Sequence, residues 1–437
     1  MLQNKPTFIL FLLISLTLVR GLIYASLMPP WWMGHDEDFH FGQARHLIDQ
    51  LADKSPSQSQ DWLQEMVATF AAFPLSRWYW EPDQAVNLTV IPDRYAGLVR
   101  PSLSYYLYAW PGQLLTQQAL LTQFFVFRLV SVLLTAGTIL LAGLSARQVF
   151  ADSPMAQILT PWLILFNPSF MVIGSSISDG NLATLLAGAI FYLLLLETVH
   201  QRTGWRLLVA LGLTILALWT KATTYFLLPV WGALLAIYAW RAGQKYRLWS
   251  GVAAGLLIIS VLFLLPEQFR TYLTYFSQPK MPWTEGLAYA FSFEHLWKLF
   301  ASFWMVLGHE VYRLAPSWYF ILLLFSLLAV VGLLLYRRSD HRNLAVSRSL
   351  LLALLFAGSS LGVLFGIAIL RGDQLRLARY IFPASIPLSI LMVAGWRSLL
   401  PPRRQSLGLG LAAVFFFLFD AMVWLDYAIP WYYPFWP

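Results

Sequence analysis

The chain contains no cysteine, so no disulfide framework supports it, although an oxidising surrounding is allowed. Charge is scarce too, at 11% of residues. The sequence lacks a Walker loop, a dinucleotide fingerprint and a soluble stretch long enough for a nucleotide-hydrolysing domain. Nothing in these residues supplies energy from nucleotide hydrolysis, and no nucleotide is expected as a partner. What is abundant is apolar: 59% of the 437 residues are hydrophobic and the mean hydropathy is +0.62. Those figures exclude a water-soluble globule and describe an integral membrane protein.

Runs of about 20 apolar residues, the length that crosses the hydrocarbon core, recur along the chain between clusters of Arg, Lys, Asp, Pro or Gly. Unbroken runs point to helices, since barrel strands alternate. The expected spans are Phe8 to Met28, Phe124 to Gln148, Ala156 to Gly174, Leu182 to Val199, Trp205 to Thr220, Thr224 to Trp240 and Leu248 to Leu265. Four more follow at Trp318 to Tyr336, Leu350 to Leu370, Tyr380 to Trp396 and Leu407 to Leu425. The expected fold is therefore all-α and polytopic, with about eleven transmembrane helices and about thirteen at most. The first run is too long, and too poor in small cleavage-site residues, for a signal peptide, so it is expected to remain as an anchor.

The positive-inside tendency orients these spans. With the N terminus cytoplasmic, Lys5, Arg147, Arg202, Arg206, Arg241, Lys245, Arg247, the run from Arg337 to Arg348, Arg397, Arg403 and Arg404 all fall inside. Ten acids, Asp36 to Asp93, then share one long external connection, 29–122, which is far longer than an ordinary loop. A second external stretch covers 266–316. The alternation holds only if Leu103 to Leu121, broken by Trp110-Pro111-Gly112, lies along the outer face without crossing. The formal charge of +8 is thus mostly topological, and no basic soluble face suggests nucleic acid. Twenty Trp and twenty Tyr, dense at Trp78-Tyr79-Trp80 and after Trp431, read as interfacial belts.

The segment His35-Asp36-Glu37-Asp38-Phe39-His40-Phe41-Gly42 stands just beyond the first span. A plain reading makes Asp36 or Asp38 a helix cap, with Phe39, Ala44, Leu47, Ile48 and Leu51 as an apolar stripe on the membrane surface. That accounts for one acid. Three consecutive acids between two histidines repel unless something positive or protonatable engages them. A carboxylate just outside the bilayer is also placed to deprotonate an acceptor hydroxyl or amine while a lipid-borne donor stays in the membrane. A neighbouring acid or histidine could tune its pKa or hold a metal, and a divalent cation stays open as a cofactor. His40 follows Asp36 by four residues, on the same helical face.

The run Asp36-Glu37-Asp38-Phe39-His40-Phe41-Gly42 resembles the Asp-Glu motif in the first external loop of protein O-mannosyltransferases and aminoarabinose-transferase-like relatives. These are GT-C membrane glycosyltransferases that use polyprenyl-phosphate sugars. Other segments resemble the same superfamily in the same order: Arg100-Pro101-Ser102-Leu103-Ser104-Tyr105-Tyr106, with Ser102 in place of a second proline, then Phe127-Arg128-Leu129. Asn167-Pro168-Ser169-Phe170, Ser178-Asp179-Gly180-Asn181, Trp219-Thr220-Lys221-Ala222 and Arg379-Tyr380 before Phe382-Pro383-Ala384 complete the series. The likeness is to the bacterial branch; the long external domain of the eukaryotic enzymes has no counterpart.

The resemblance implies one GT-C-like transmembrane domain over 1–437 that moves a sugar from a polyprenyl-phosphate donor to an acceptor at the external face of the cytoplasmic membrane, with inversion. It implies Asp36 as the catalytic base with Glu37 in support, Asp179 positioning the acceptor or a metal, and Lys221 and Arg379 holding phosphate. Arg376, Arg371, His40 and Tyr380 would join the substrate site, and Arg20 and Arg128 lie near the same face. Plainer alternatives are a snorkelling Lys221, a helix-capping Asp179, and arginines 371, 376 and 379 on lipid headgroups. His309-Glu310 is an acid-base pair by composition alone. The rival functions are a transporter or flippase of lipid-linked sugars, or a glycan polymerase. A carrier would usually show two similar halves, and the long acidic connection has no second copy.

Overall fold

In hydrocarbon every backbone N–H and C=O must find its partner within the chain, so apolar runs become helices. The computed structural model describes residues 5–30, 36–53, 62–66, 69, 102–200, 205–241, 255, 279–307, 312–338, 344–372 and 377–433. Helix α1 (Lys5–Leu27) is followed by α2 (Glu37–Leu51), α3 (Leu103–Leu114) and the thirty-residue α4 (Leu120–Val149). Then come α5 (Pro154–Leu165), α6 (Pro168–Gly174), α7 (Asp179–His200), α8 (Trp205–Thr220), a 3-10 turn (Ala222–Phe226) and α9 (Leu227–Arg241).

After residue 278 the chain forms α10 (Trp283–Ala290), α11 (Phe293–Trp304) and a two-strand ladder, β1 (Val306–Leu307) against β2 (Tyr312–Arg313), with Val306 opposite Arg313. Helices α12 (Pro316–Arg338) and α13 (Leu344–Arg371) lead to a 3-10 turn (Ala378–Ala384) that runs into α14 (Ser385–Leu399). The chain closes with α15 (Gln405–Met422), a π-helical turn (Val423–Ala428) and α16 (Ile429–Tyr432).

Among the described residues seven helices are long and apolar enough to cross a membrane, or eight if the α5–α6 pair counts as one bent span. This is a multi-pass, all-α membrane protein. Among the described residues the expectation of about eleven spans is not confirmed. Ala156 to Gly174 is not one rod, because α5 and α6 meet at 63°. Pro168 excludes the helical conformation at the residue before it, and Asn167 is extended there while its Oδ1 caps the Phe170 N–H at 2.9 Å. At sixteen residues, α8 falls short of the usual crossing length, as does Ala222–Ile237. The expected span at Leu248 to Leu265 lies outside the described residues. Helix α3, twelve residues long with Pro111 inside, is too short to cross.

The core is built where α4, α5, α7 and α14 meet, with Ile139, Leu159, Ile190 and Ile390 fully buried. Helices α1, α12 and α15 turn Phe11, Phe320 and Leu411 outward, and each of these side chains is more than 60% exposed. Such a surface is stable against lipid, not water. Arg20 is taken into this scaffold. It pairs with Asp420 of α15 at 2.5 Å, bonds the Leu165 carbonyl that ends α5, and lies 4.3 Å over the Phe166 ring.

Helices α12 and α14 cross by direct backbone approach. A Cβ at Gly332 would overlap the Gly395 carbonyl, and one at Gly395 would overlap the Ala329 carbonyl. Small residues at such a crossing give close van der Waals packing where lipid removes the hydrophobic drive. Gly395→Ala should therefore destabilise the fold by about 1–3 kcal/mol, read as a lowered thermal unfolding midpoint in detergent. An exposed control, Gly212→Ala, meets open space in the interior of α8 and should leave the midpoint unchanged or slightly raised.

Candidate active site

The start of α2 is fixed by a buried ion pair. Arg128, wholly inaccessible in α4, donates from Nε and Nη2 to the two Glu37 oxygens at 2.9 and 2.7 Å. Its Nη1 donates to the carbonyls of Ala25 and Met28, both at 2.8 Å, and Nη2 donates also to Pro29 at 3.0 Å. All five guanidinium hydrogens are thereby engaged. Glu37 Oε1 also accepts the Ile177 N–H at 3.0 Å. Arg128 has no donor left for a substrate, and with Glu37 it pins the end of α1, the start of α2 and the turn before α7.

Asp36 precedes this anchor with φ 66° and ψ 22°, the left-handed region, and its side chain makes no capping bond. The plain capping account of Asp36 is thus overturned. A left-handed non-glycine residue is uncommon and costs about 1–3 kcal/mol in general, least for Asp and Asn. The conformation sends the carboxylate to Arg379, whose Nη2 donates to Oδ2 at 2.8 Å. Arg379 stands in the 3-10 turn ahead of α14, with Tyr380 OH 3.2 Å from the same nitrogen and the Tyr380 ring 5.1 Å from Cζ.

A second pair lies beside the first. Asp179, the first residue of α7, accepts from the Lys221 ammonium at the end of α8. His40 bridges the two acids' helices, with Nε2 3.6 Å from Asp179 Oδ1 and Nδ1 2.9 Å from the Tyr105 hydroxyl. Burial pushes the His40 pKa down to about 4, against the upward pull of Asp179, and burial also pushes Tyr105 well above its usual value. Tyr105 therefore stays protonated and donates to Nδ1, which leaves the Nε2 hydrogen facing Asp179. The opposite tautomer would aim a lone pair at a carboxylate.

The place of Ser102, where the resembling pattern has proline, is explained locally. Its Oγ caps α3 by accepting the Ser104 N–H at 3.3 Å and donates to the Thr220 carbonyl at 2.7 Å. The helix that carries Tyr105 is thereby tied to the residue before Lys221. Tyr108, one turn further on, donates to the Ser178 carbonyl at 2.9 Å and fixes the approach to Asp179.

Lys221 and Arg379 border a narrow cleft of about 10 Å³, room for about one water molecule. Its remaining lining includes Thr135, Thr138, Ser178, Asn181 and Thr184, residues the sequence reading did not single out as substrate contacts. Phe170 and Phe382, with ring centroids 5.3 Å apart, form its wall. Beyond them lies a mostly apolar cleft of about 20 Å³ lined by Leu163, Ile164, Trp304 and Met392.

Of the residues expected at a site, Asp36, His40, Asp179, Lys221, Arg379 and Tyr380 form one linked cluster. Glu37 is turned into the scaffold, as are Arg20 and Arg128. Arg371 ends α13. His35, Arg376 and His309-Glu310 lie outside the described residues, as do Trp78-Tyr79-Trp80. Among the described residues no group of three His, Asp or Glu side chains gathers to hold a metal. No protein-family model matches this chain, and a search of curated proteins returns no significant relative.

The buried His40 has a pH consequence. Its folded pKa of about 4 lies below the ordinary 6.5, so the unfolded chain takes up the proton first as pH falls. Stability is then intact above about 6.5 and is lost between about 6.5 and about 4, by on the order of 3 kcal/mol. Thermal unfolding of the wild type and His40→Gln across that range should diverge, with the variant losing less. Parallel curves would show that His40 protonates freely in the folded protein.

Proposed function

We propose that this protein is a membrane glycosyltransferase of the GT-C type that moves a sugar from a polyprenyl-phosphate donor to an acceptor on the outer side of the cytoplasmic membrane. The observation that carries the reading is the double ion pair, Asp36–Arg379 and Asp179–Lys221, gathered at one end of the helix bundle with a strained backbone at Asp36. Two charge pairs near hydrocarbon are expensive, about 2.5–3.5 kcal/mol per charge on insertion scales. Scaffold needs do not explain them, since Arg128 and Arg20 already tie the helices. Left-handed strain of this kind gathers at functional sites.

In the reaction an acceptor oxygen or nitrogen attacks the anomeric carbon as the bond from that carbon to the phosphate oxygen breaks. The phosphate leaves with the bonding electrons and the acceptor's proton passes to Asp36. Arg379 and Lys221 meet the growing charge on the phosphate, the largest share of stabilisation in such a displacement. When the phosphate draws Arg379, Asp36 loses its partner and becomes the stronger base, so donor binding and base activation are coupled. Asp179, steered by His40 and Tyr105, positions the acceptor.

Positive charges at the opposite end support an inward orientation of that end. Arg397 and Asp152 pair there at 2.5 Å, and Arg403 and Arg404 are exposed. The N terminus then lies on the cytoplasmic side.

Membranes carrying the wild type should transfer label from radiolabelled polyprenyl-phosphate sugars, and Asp36→Asn at matched folded yield should lose at least about 100-fold, the usual scale for a general base. Lys221→Met should raise the donor concentration needed for half-maximal rate. Transfer unaffected by Asp36→Asn would place the chemistry elsewhere, and no transfer from any donor would favour a flippase or carrier.

A further inference from the structure

We infer that α11 is an in-plane membrane anchor at the end of the bundle that carries Arg379, with the acyl chains of that leaflet as the partner of its Phe293 and Leu296 side. Three kinds of residue divide this helix lengthwise. His295, Leu299 and Ser302 are buried against the scaffold. Glu294 and Lys298 pair at 2.5 Å across one turn, and the Glu294 side chain is 75% exposed. Phe293 and Leu296 are exposed as well, Phe293 to 80%. At 3.6 residues per turn these are three separate sectors. A helix between protein and water has use for two; a third that is apolar and uncovered suits a helix lying at the boundary of headgroups and chains.

The depth of this element can be read against two spans. Helix α10 crosses the last turn of α13 at backbone contact, since a Cβ at Gly286 would overlap the Ile369 carbonyl, and the Lys280 N–H donates to the Leu370 carbonyl at 2.9 Å. From there the chain descends, and Phe291 stacks on Phe365 with ring centroids 5.4 Å apart and planes at 17°. Phe365 lies six residues, about 9 Å, inside the Arg371 end of α13. The 28 residues of that helix span about 42 Å and overrun a hydrocarbon core of about 30 Å by about 6 Å at each end. Phe365 and the Phe291 ring upon it therefore stand within the hydrocarbon.

Helix α11 then runs across α12 and not along it. Its Trp297 ring lies 5.5 Å from the Tyr319 ring, and the Tyr319 hydroxyl donates to the Met305 carbonyl at 2.6 Å. Two positions eight residues apart on α11 thus meet one residue near the start of α12. The turn between α10 and α11 also pairs its own backbone, as hydrocarbon demands. The Phe291 and Ser292 N–H groups donate to the Leu287 and Tyr289 carbonyls at 3.1 and 3.0 Å, and the His295 N–H donates to Ser292 Oγ at 3.2 Å. Trp283, exposed at the start of α10, stands at the level where indole rings gather, between headgroups and chains. At the depth of Phe291 lipid, and not a soluble partner, meets the free face of the ring and, two residues on, Phe293.

The chain has no cysteine, so one introduced cysteine carries one spin label. Full-length protein in nanodiscs of phosphatidylcholine and phosphatidylglycerol is labelled at Phe293→Cys, Leu296→Cys or Glu294→Cys, all exposed positions. Leu327→Cys, exposed midway along α12, is the lipid reference and Arg403→Cys, exposed beyond α14, the water reference. Collision rates are read with oxygen, which concentrates in hydrocarbon, and with a nickel chelate, which stays in water. The oxygen-to-nickel ratio at Phe293→Cys and Leu296→Cys should exceed that at Glu294→Cys at least about five-fold, as immersion by about 5–10 Å requires. Ratios at all three positions equal to that of Arg403→Cys would make α11 a solvated connection and overturn the inference. Exclusion of both agents from Phe293→Cys and Leu296→Cys would show protein covering this face, and would overturn it equally.

Discussion

The pairing of Arg128 with Glu37 is the contact on which the site depends. Removing a buried guanidinium from water is costly, and it is tolerated here because every N–H finds an oxygen: two on Glu37 and three on the carbonyls at the end of α1. Loss of one partner from such a pair typically costs about 3–5 kcal/mol, since the other is left charged and dry. The pair also sets register. With Glu37 locked, Asp36 must turn out of the helix and His40 must point back, one turn later, toward Asp179. The catalytic geometry proposed for Asp36 is thus a consequence of what its neighbour does.

Among the described residues the linked cluster sets two carboxylates against two cations. A site of that kind does not draw anions from a distance through net field. On the proposed reading it exchanges partners at close range, with an incoming phosphate competing with Asp36 and Asp179 for cations that are already oriented. Orientation set in advance is what lets a site stabilise charge as it develops, because little reorganisation remains at the moment of reaction.

Much of this was readable from the chain and some was not, for definable reasons. Asp36 stood out in its acidic run, and Asp179, Lys221 and Arg379 were marked by the resemblance; the structure draws them together with His40 and Tyr380. Arg128 and Glu37 carry the same residue types in the same positions, and only long-range contact separates a scaffold charge from a substrate contact. The break at Asn167-Pro168 was present in the letters, yet an apolar count sums across it and returns one span. Thr138 and Thr184 look like any threonine in a lipid-embedded helix. Their value lies in facing the same cleft from α4 and α7, a relation that no local pattern records.

Helix α11 belongs to the connection between spans, yet it holds both sides of the cleft. Its Ser302 carbonyl accepts from the Ser169 hydroxyl at 2.8 Å, and the Phe303 carbonyl accepts from the Asn167 amide at 2.9 Å. Its Ser302 hydroxyl receives the Ala378 N–H at 2.9 Å, one residue before Arg379. Two consecutive residues at the end of one short helix thus fasten the start of α6, with the Phe170 wall, and the turn that carries Arg379. A helix set beside the bundle in this way acts as a rigid spacer: it keeps the aromatic wall and the cation at a constant separation, so a shift of α11 carries both together and alters where the cleft lies before it alters its width.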